Sequence, residues 1–241
     1  MEQNQQNQQK NQPKKILSIP DNWYNLLKNI IESDYFLNLG NTIKEERKKV
    51  KVFPTRDKVF RAFNLTPLDK VRVVILGMDP YPNEYKGEPV ACGLAFAPSN
   101  REYVPPSLRM IHKNIKDNLY PDEFKHATEM NLENWATQGV FLLNAALTVR
   151  QGKAGSHLYE WYQFTNNVIT LLSQNTNGLI FCFWGKDAQK FKPLVDSNRH
   201  YILEAPHPVS AVYKGGQWDC DHFQQINNIL TKNNNETIQW L

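Results

Sequence analysis

Four short apolar runs, rich in β-branched or aromatic side chains, are typical of strands that are buried on both faces. They span residues 71–76, 139–143, 179–183 and 201–205. Helical patterns separate or follow these runs at residues 107–118, 161–172, 187–194 and 221–230. Strands that alternate with helices predict parallel β-α-β units. The pattern therefore predicts an α/β fold, a three-layer α/β/α sandwich around a central four-stranded, mainly parallel sheet.

The segment before the first strand also has helical patterns. Pro20, Asp21 and Asn22 are suited to open a helix whose apolar side chains, from Trp23 to Ile31, share one face. The charged stretch 44–51 predicts a solvated helix face, and residues 57–63 predict a short helix.

The domain organisation follows from a single break in composition. Residues 1–15 are almost entirely Gln, Asn and Lys, which is typical of a disordered polar tail. Residues 16–241 show no internal repeat and no second break, so they predict one domain. The tail has no signal-peptide pattern, and no apolar run reaches the roughly 20 residues of a membrane helix. We expect an intracellular protein, cytoplasmic or, in a eukaryote, nuclear, with no membrane partner.

Charge and cysteine content narrow the function only slightly. The net charge is +4 and the pI is about 8.8, which is compatible with an anionic partner. The three cysteines, Cys92, Cys182 and Cys220, form neither a disulfide framework nor the spacing of a metal site. We therefore expect a reducing environment and no bound metal.

Polar side chains follow each of the four predicted strands. Asp79, Asn144, Lys186 and His207 come directly or almost directly after the apolar runs. Taken singly, each has an ordinary explanation as a turn residue, a surface lysine or a loop histidine. Right-handed crossovers, however, bring the carboxyl ends of parallel strands to one edge of the sheet, where ligands bind. These four residues therefore predict a cleft at that edge.

Several segments resemble, in order and approximate spacing, the motifs of one enzyme family. VVILGMDPYP (73–82) resembles the water-activating loop of that family, GLAF (93–96) its base-stacking segment and PPSL (105–108) its proline-rich loop. GVFLLN (139–144) with LTVR (147–150) resembles the uracil-reading strand. WGKDAQK (184–190) stands at the position of the Gly-Ser loop, and APHP (205–208) with CDHF (220–223) surrounds the minor-groove loop. From about residue 17 to residue 240 the chain resembles the uracil-DNA glycosylases of the main, ung-type family (family 1).

The resemblance implies a reaction and the residues that perform it. A uracil flipped out of DNA would be released by hydrolysis of its N-glycosidic bond, as in base excision repair, without a cofactor or metal. Asp79 would stabilise the cationic sugar and orient the water, and His207, as a neutral imidazole, would bond the oxyanion at uracil O2. Asn144 would read the uracil edge and Phe96 would stack on the ring. Tyr81 would exclude the methyl group of thymine, and Met78 would offer its backbone N–H.

The same resemblance implies a DNA-binding surface and partners. DNA, single- or double-stranded, would contact residues of three loops: Pro105, Pro106 and Ser107; Gly185 and Lys186; and Pro208, Ser210, Ala211, Tyr213 and Lys214. A monomer is expected, and a proteinaceous inhibitor of the glycosylase is a possible further partner.

The chain departs from the family pattern in the loops that hold DNA. Met78 and Pro82 replace the usual Gln and His, as in poxviral members, and the loop 83–92 is longer than usual. After His207, Val209 and Val212 replace two phosphate-binding serines, and Ala211 replaces the leucine wedge. Tyr213 could act as a wedge instead. We expect retained chemistry with an altered DNA grip, which favours single strands because they need no unpairing.

Two other functions remain open at this stage. One is a weakly active or inactive DNA-binding or replication-accessory protein on the same fold, because fold does not fix function. The other is a glycosylase for a modified pyrimidine, which Met78 and the long loop would suit. The presence of Asp79, Tyr81, Phe96, Asn144 and His207 together favours uracil excision.

Overall fold

The structure, a computed structural model, describes residues 17–100, 102–120, 132–213 and 215–241. The polar tail predicted at residues 1–15 lies outside the described residues, as does Lys214. No helix in the described ranges is long and apolar enough to cross a membrane.

Helices and strands alternate through most of the chain. The helices are α1 (Asp21–Ile31), α2 (Asp34–Glu46), α3 (Arg61–Leu65), α4 (Pro106–Leu119), α5 (Leu132–Thr137), α6 (Leu158–Asn175), α7 (Lys186–Gln189), α8 (Pro208–Tyr213) and α9 (His222–Lys232). The strands are β1 (Val52–Phe53), β2 (Val73–Gly77), β3 (Glu84–Tyr85), β4 (Glu88–Pro89), β5 (Val140–Asn144), β6 (Val149–Arg150), β7 (Ile180–Trp184) and β8 (Tyr201–Ala205). Single turns of 3-10 helix lie at Arg56–Lys58, Leu68–Lys70 and Lys192–Leu194.

The central sheet has the order β5-β2-β7-β8, and every neighbouring pair is parallel. All residues of β2, β5 and β7 are buried, which explains their unbroken apolar sequences. On one face, Trp23 of α1 stacks on Phe141 with the ring centroids 4.8 Å apart. On the other, Phe223 of α9 packs against Trp184 at 5.8 Å. The predicted three-layer sandwich is therefore confirmed, with a fully parallel sheet.

The register of the sheet places the strand ends side by side. Gly77, the last residue of β2, pairs with Asn144, the last residue of β5. Trp184, the last residue of β7, pairs with Ala205, the last residue of β8. The predicted polar residues thus leave the sheet from one edge, and this edge carries the candidate site.

Some local predictions were wrong. The charged stretch 44–51 was expected to continue a helix, but α2 ends at Glu46. The guanidinium of Arg47 donates to the carbonyls of Val52, at 2.5 Å, and Pro54, at 2.7 Å, which holds the chain in a different direction. The predicted helix 187–194 is divided into α7 and a 3-10 turn that contains Pro193, because proline lacks the N–H that a helix interior requires.

Candidate active site

The floor of the site is formed by the ends of β2 and β5. Beyond the strands, Ala145 and Ala146 donate backbone hydrogen bonds to the carbonyls of Gly77 (2.9 Å) and Met78 (3.0 Å). A Cβ atom at Gly77 would lie 2.4 Å from Oδ1 of Asn144. Glycine is therefore required here so that the Asn144 side chain can lie over the end of β2.

Asn144 and Phe96 lie close together at the end of β2, because a Cβ at Gly77 would contact both Oδ1 of Asn144 and, at 3.5 Å, Cε2 of Phe96. Asn144 is only 6% exposed, and no group in the described part of the chain hydrogen-bonds its carboxamide. A carboxamide whose hydrogen-bonding groups are not used within the protein can form hydrogen bonds with a ligand. Phe96, at φ 64°, has a backbone conformation that is rare for a bulky residue and is characteristic of functional sites. Its ring lies 5.3 Å from Trp184 and 5.8 Å from His207.

Asp79 is held by a loop that precedes α6. Its Oδ2 accepts a 2.5 Å hydrogen bond from the backbone N–H of Gly155. Burial raises the pKa of Asp79 from 3.8 to about 6, and the charge of Asp187 adds to the rise, whereas the bond from Gly155 opposes it. The carboxylate is therefore ionised at neutral pH but is a much better proton acceptor than an exposed aspartate.

His207 has a defined tautomer. Its Nδ1 accepts a 3.1 Å hydrogen bond from the backbone N–H of Val209, so a neutral ring carries its proton on Nε2. Burial lowers the pKa of His207 below its ordinary value of 6.5, against the charge of Asp187. Gly185, at φ 93°, permits this approach, because a Cβ there would lie 2.8 Å from the His207 Cβ. The site therefore presents a neutral N–H donor.

Tyr81 is fixed by the segment that leads into α4. Its hydroxyl donates to the carbonyl of Phe96 at 3.0 Å and lies 3.0 Å from Oγ of Ser107. Because Tyr81 donates its one hydroxyl proton to the carbonyl of Phe96, the hydroxyl of Ser107 is the donor in the second hydrogen bond. Pro105 is buried and Pro106 is the first residue of α4. Ser107, expected to contact DNA, thus positions Tyr81 in this structure.

The residues expected to bind DNA are divided between exposed and buried positions. Tyr213 is 84% exposed, whereas Ala211 is only 6% exposed within the core. Lys186 is exposed and Pro208 is buried. Ser210 donates its hydroxyl to the His207 carbonyl at 2.7 Å. The exposed end of α8 is therefore the tyrosine and not the alanine.

Two supporting groups have no distinctive sequence signal. Gly155 is one of eleven glycines, and Asp187 reads as an ordinary helix residue. Asp187 contributes to the pKa of both Asp79 and His207, which places the three groups in one electrostatic environment. Only the folded chain shows that these residues belong to the site.

A buried hydrogen-bond network holds the loop that contains Gly155. His157 is fully buried, with Nδ1 at 2.8 Å from Oγ1 of Thr148 and Nε2 at 3.0 Å from Oε2 of Glu46. Trp161 donates to Thr148 at 2.7 Å, and Arg150 pairs with the other oxygen of Glu46. Because Oγ1 of Thr148 accepts from Trp161, its own proton can be donated to Nδ1 of His157. The His157 ring therefore donates from Nε2 to the carboxylate of Glu46. Each polar group of this hydrogen-bond network thus has a partner.

Within the ranges that the structure describes, no group of three or more His, Cys, Asp or Glu side chains could hold a metal ion. The three cysteines are free and buried.

Comparison with known proteins places these features in a family. Residues 63–231 match the model of the uracil DNA glycosylase superfamily. The uracil-DNA glycosylase of Buchnera aphidicola is 44% identical over 91% of this chain and 96% of its own length. That of Clostridioides difficile is 40% identical over 93% and 98%, respectively.

A solved structure shares the fold over a similar length. A mimivirus UNG variant, crystallised in complex with UGI, is 30% identical and superposes with a TM-score of 0.83 over 92% of this chain and 88% of its own. The family expected from the motifs is confirmed by the family match, the relatives and the fold: the chain belongs to the uracil-DNA glycosylase family.

Proposed function

We propose that this chain hydrolyses the N-glycosidic bond of deoxyuridine in DNA, releasing uracil and leaving an abasic site. One observation carries the assignment of the site: an unpartnered carboxamide, Asn144, lies on the same sheet edge as an ionised Asp79 and a neutral His207. The carboxamide can donate to O4 and accept from N3 of uracil, which is the pattern that distinguishes this base from cytosine.

The catalytic roles follow from the charges of the site. As the bond between C1′ and N1 breaks, N1 retains the electron pair, positive charge grows on the sugar and negative charge grows on the uracil. Asp79 stabilises the cation and orients the water whose oxygen bonds C1′, and it receives the proton of that water. His207 donates from Nε2 to the oxyanion at O2. Such preorganised charges supply a large part of enzymatic rate enhancement.

The selectivity for uracil rests on rigid neighbours of the pocket. Phe96 stacks on the base. Tyr81, fixed by Ser107 and the Phe96 carbonyl, stands where the methyl group of thymine would enter. Met78 contributes its backbone N–H near O2. These roles are carried over from the family motifs, and the contacts of Tyr81 support its place.

The two alternative functions have no observation in their favour. An inactive accessory protein would have no use for a buried, unpartnered Asn144 beside an Asp79 whose pKa is raised to about 6. A glycosylase for pyrimidines with a large C5 substituent would need space that Tyr81 occupies.

We propose that this chain holds DNA with side chains that differ from those of the family pattern. Ala211 is packed in the core, so the side chain available to fill the gap left by a flipped base is the exposed Tyr213. Val209 and Val212 offer no hydroxyl for phosphates, whereas Lys186 offers a charge. The proline-rich loop (Pro105, Pro106) and residues 207–213 flank the bound DNA strand. Single-stranded DNA is the favoured substrate.

The further partners and the location are also proposals. Because a mimivirus relative forms a complex with UGI, a protein of that kind is proposed to bind this chain. We propose that the chain acts as a monomer inside the cell, in the cytoplasm or nucleus, without a cofactor.

Uracil release from oligonucleotides tests the function. The wild-type protein should release uracil, whereas Asp79→Asn and His207→Ala should each reduce kcat by at least about 100-fold, the scale of a lost preorganised group. Tyr201→Phe, which keeps the fold and lies on the edge strand β8, is the control. Full activity in both site variants would refute the assigned roles.

A further inference from the structure

An apolar groove with a volume of about 230 Å³ opens beside the proposed reaction centre. Its walls are formed by Ala145, Leu158, Tyr162 and Phe191, and its rim carries Tyr159 and Lys190. Ala145 directly follows Asn144, and Asp187, which also lines the groove, contributes to the pKa of both Asp79 and His207. The groove therefore lies next to the residues of the candidate site.

Two tyrosines that line the groove are unusually exposed for aromatic residues. Tyr159 is 92% exposed and Tyr162 is 51% exposed. They are three residues apart on α6 and so share one side of that helix. Together their rings form an aromatic platform. The ring centroids of Tyr162 and Phe191 are 5.8 Å apart, and this contact holds the Tyr162 ring in place. Trp161 and Phe164 of the same helix point into the core, so core packing does not account for the two tyrosines.

The charges around the groove suit a nucleic-acid strand. Lys186, the first residue of α7, and Lys190, which directly follows α7, are both exposed, and Lys190 forms a 2.6 Å ion pair with Asp187. Lysines that follow a backbone beside aromatic faces form the usual arrangement of single-strand binding, in which phosphates meet cations and bases stack on rings.

We infer that this groove is a subsite for one unpaired base that neighbours the uracil in the same DNA strand. The inference rests on the proposed function, because it takes the uracil pocket as the point from which the strand continues. In a duplex the neighbouring base remains paired and stacked, so it cannot enter the groove. The platform of Tyr159 and Tyr162 therefore strengthens binding of single strands only.

A double variant, Tyr159→Ala with Tyr162→Ala, tests this subsite. The KM for a single-stranded oligonucleotide with one central uracil should rise about 10-fold, as expected for the loss of one stacked base. The KM for the matching duplex should change less than about twofold. Tyr159→Phe with Tyr162→Phe keeps both rings and should restore the single-strand KM. Thermal unfolding of each variant shows that the fold is retained.

A second substrate removes the base instead of the protein group. In a single strand whose nucleotides beside the uracil are abasic analogues, the wild-type KM should rise and the Ala variant should show no further rise. Equal sensitivity of both proteins to the missing bases would overturn the inference.

The outcomes also separate this inference from the proposed function. If no protein releases uracil from any substrate, the proposed function fails. If wild-type and Ala variants release uracil with the same single-strand KM, only the subsite fails. If the Ala variant loses UGI binding but keeps its single-strand KM, the groove is a protein-binding site and the inference is wrong.

Discussion

At the scale of single residues, the site depends on two groups that burial shifts in opposite directions. Burial raises the pKa of Asp79 to about 6 and lowers that of His207. At neutral pH the carboxylate is charged and the imidazole is neutral, which is the combination that the reaction needs. The bond from Val209 to Nδ1 of His207 also opposes protonation of that ring.

The acid limb of the pH profile should report Asp79. As pH falls through about 6, Asp79 gains a proton and kcat/KM should fall. Replacing Asp187 with Asn removes a charge that raises the pKa of Asp79, so the limb should move to lower pH. Asp196→Asn is the matched control, because Asp196 is absent from the groups that set this pKa. An unmoved limb in Asp187→Asn would contradict the assignment.

The ionised Asp79 should also cost stability. Its folded pKa of about 6 exceeds the ordinary 3.8, so stability is lost as pH rises from 3.8 through 6, by at most about 3 kcal/mol. Asp79→Asn should therefore raise the melting temperature at pH 7.5, and the difference from wild type should vanish near pH 4. Melting curves at both pH values measure this. If Asp79→Asn were less stable than wild type at pH 7.5, burial of the ionised Asp79 carboxylate would not destabilise the fold.

At the scale of elements, the sequence predicted the parts of the site that follow strands, and missed those that support them. Asp79, Asn144 and His207 follow apolar runs, so the topology of parallel strands places them together. Gly155 and His157 come from a loop with no distinctive pattern. Gly155 bonds Asp79 across 76 positions of sequence, and His157 bonds Glu46 across 111. Such long-range contacts leave no local signal in a single chain.

The hairpin β3–β4 shows the same limit. The sequence indicated a longer loop at 83–92, but the stacking of Tyr85 on Tyr103, with ring centroids 5.1 Å apart, emerges only in the fold. The helix α2 was also missed in large part, because the charged residues near its end suggested a helix at 44–51. Arg47, by bonding the next strand's carbonyls, ends that helix early.

The network around His157 should matter for catalysis as well as for stability. His157→Ala removes one hydrogen-bond partner from each of Glu46 and Thr148, which keep Arg150 and Trp161, and frees the loop that directs Gly155 to Asp79. We expect a loss of about 2–4 kcal/mol of folding free energy and a fall in kcat larger than the change in KM. The measurements are denaturant unfolding and steady-state uracil release below the unfolding transition.

A second buried histidine provides the control for that experiment. His200 accepts from the backbone of Leu179 at 3.2 Å and lies 2.9 Å from the carbonyl of Ser173, away from the Gly155 loop. His200→Ala should lose comparable stability while kcat is retained. If both variants lower kcat equally, the effect of His157 is one of general stability and not of Asp79 positioning.

At the scale of the whole molecule, the buried strand ends that carry the candidate site contrast with the exposed surface that we propose to bind DNA. The strand ends that carry the site are buried, and the C-terminal Trp240 closes the core against Trp135 and Phe223 at 4.8 and 4.9 Å. In our proposal, DNA binding instead depends on Tyr213, Lys186 and the groove beside α6. The proposal thus combines the fold and chemistry of the family with other residues that hold the strand.

Uracil release from matched single- and double-stranded oligonucleotides, each with one uracil, tests the proposed function most directly. We expect abasic sites in both substrates, with kcat/KM higher for the single strand because no pair must be opened and Ala211 is unavailable as a wedge. Absence of release from either substrate at high protein concentration would contradict it.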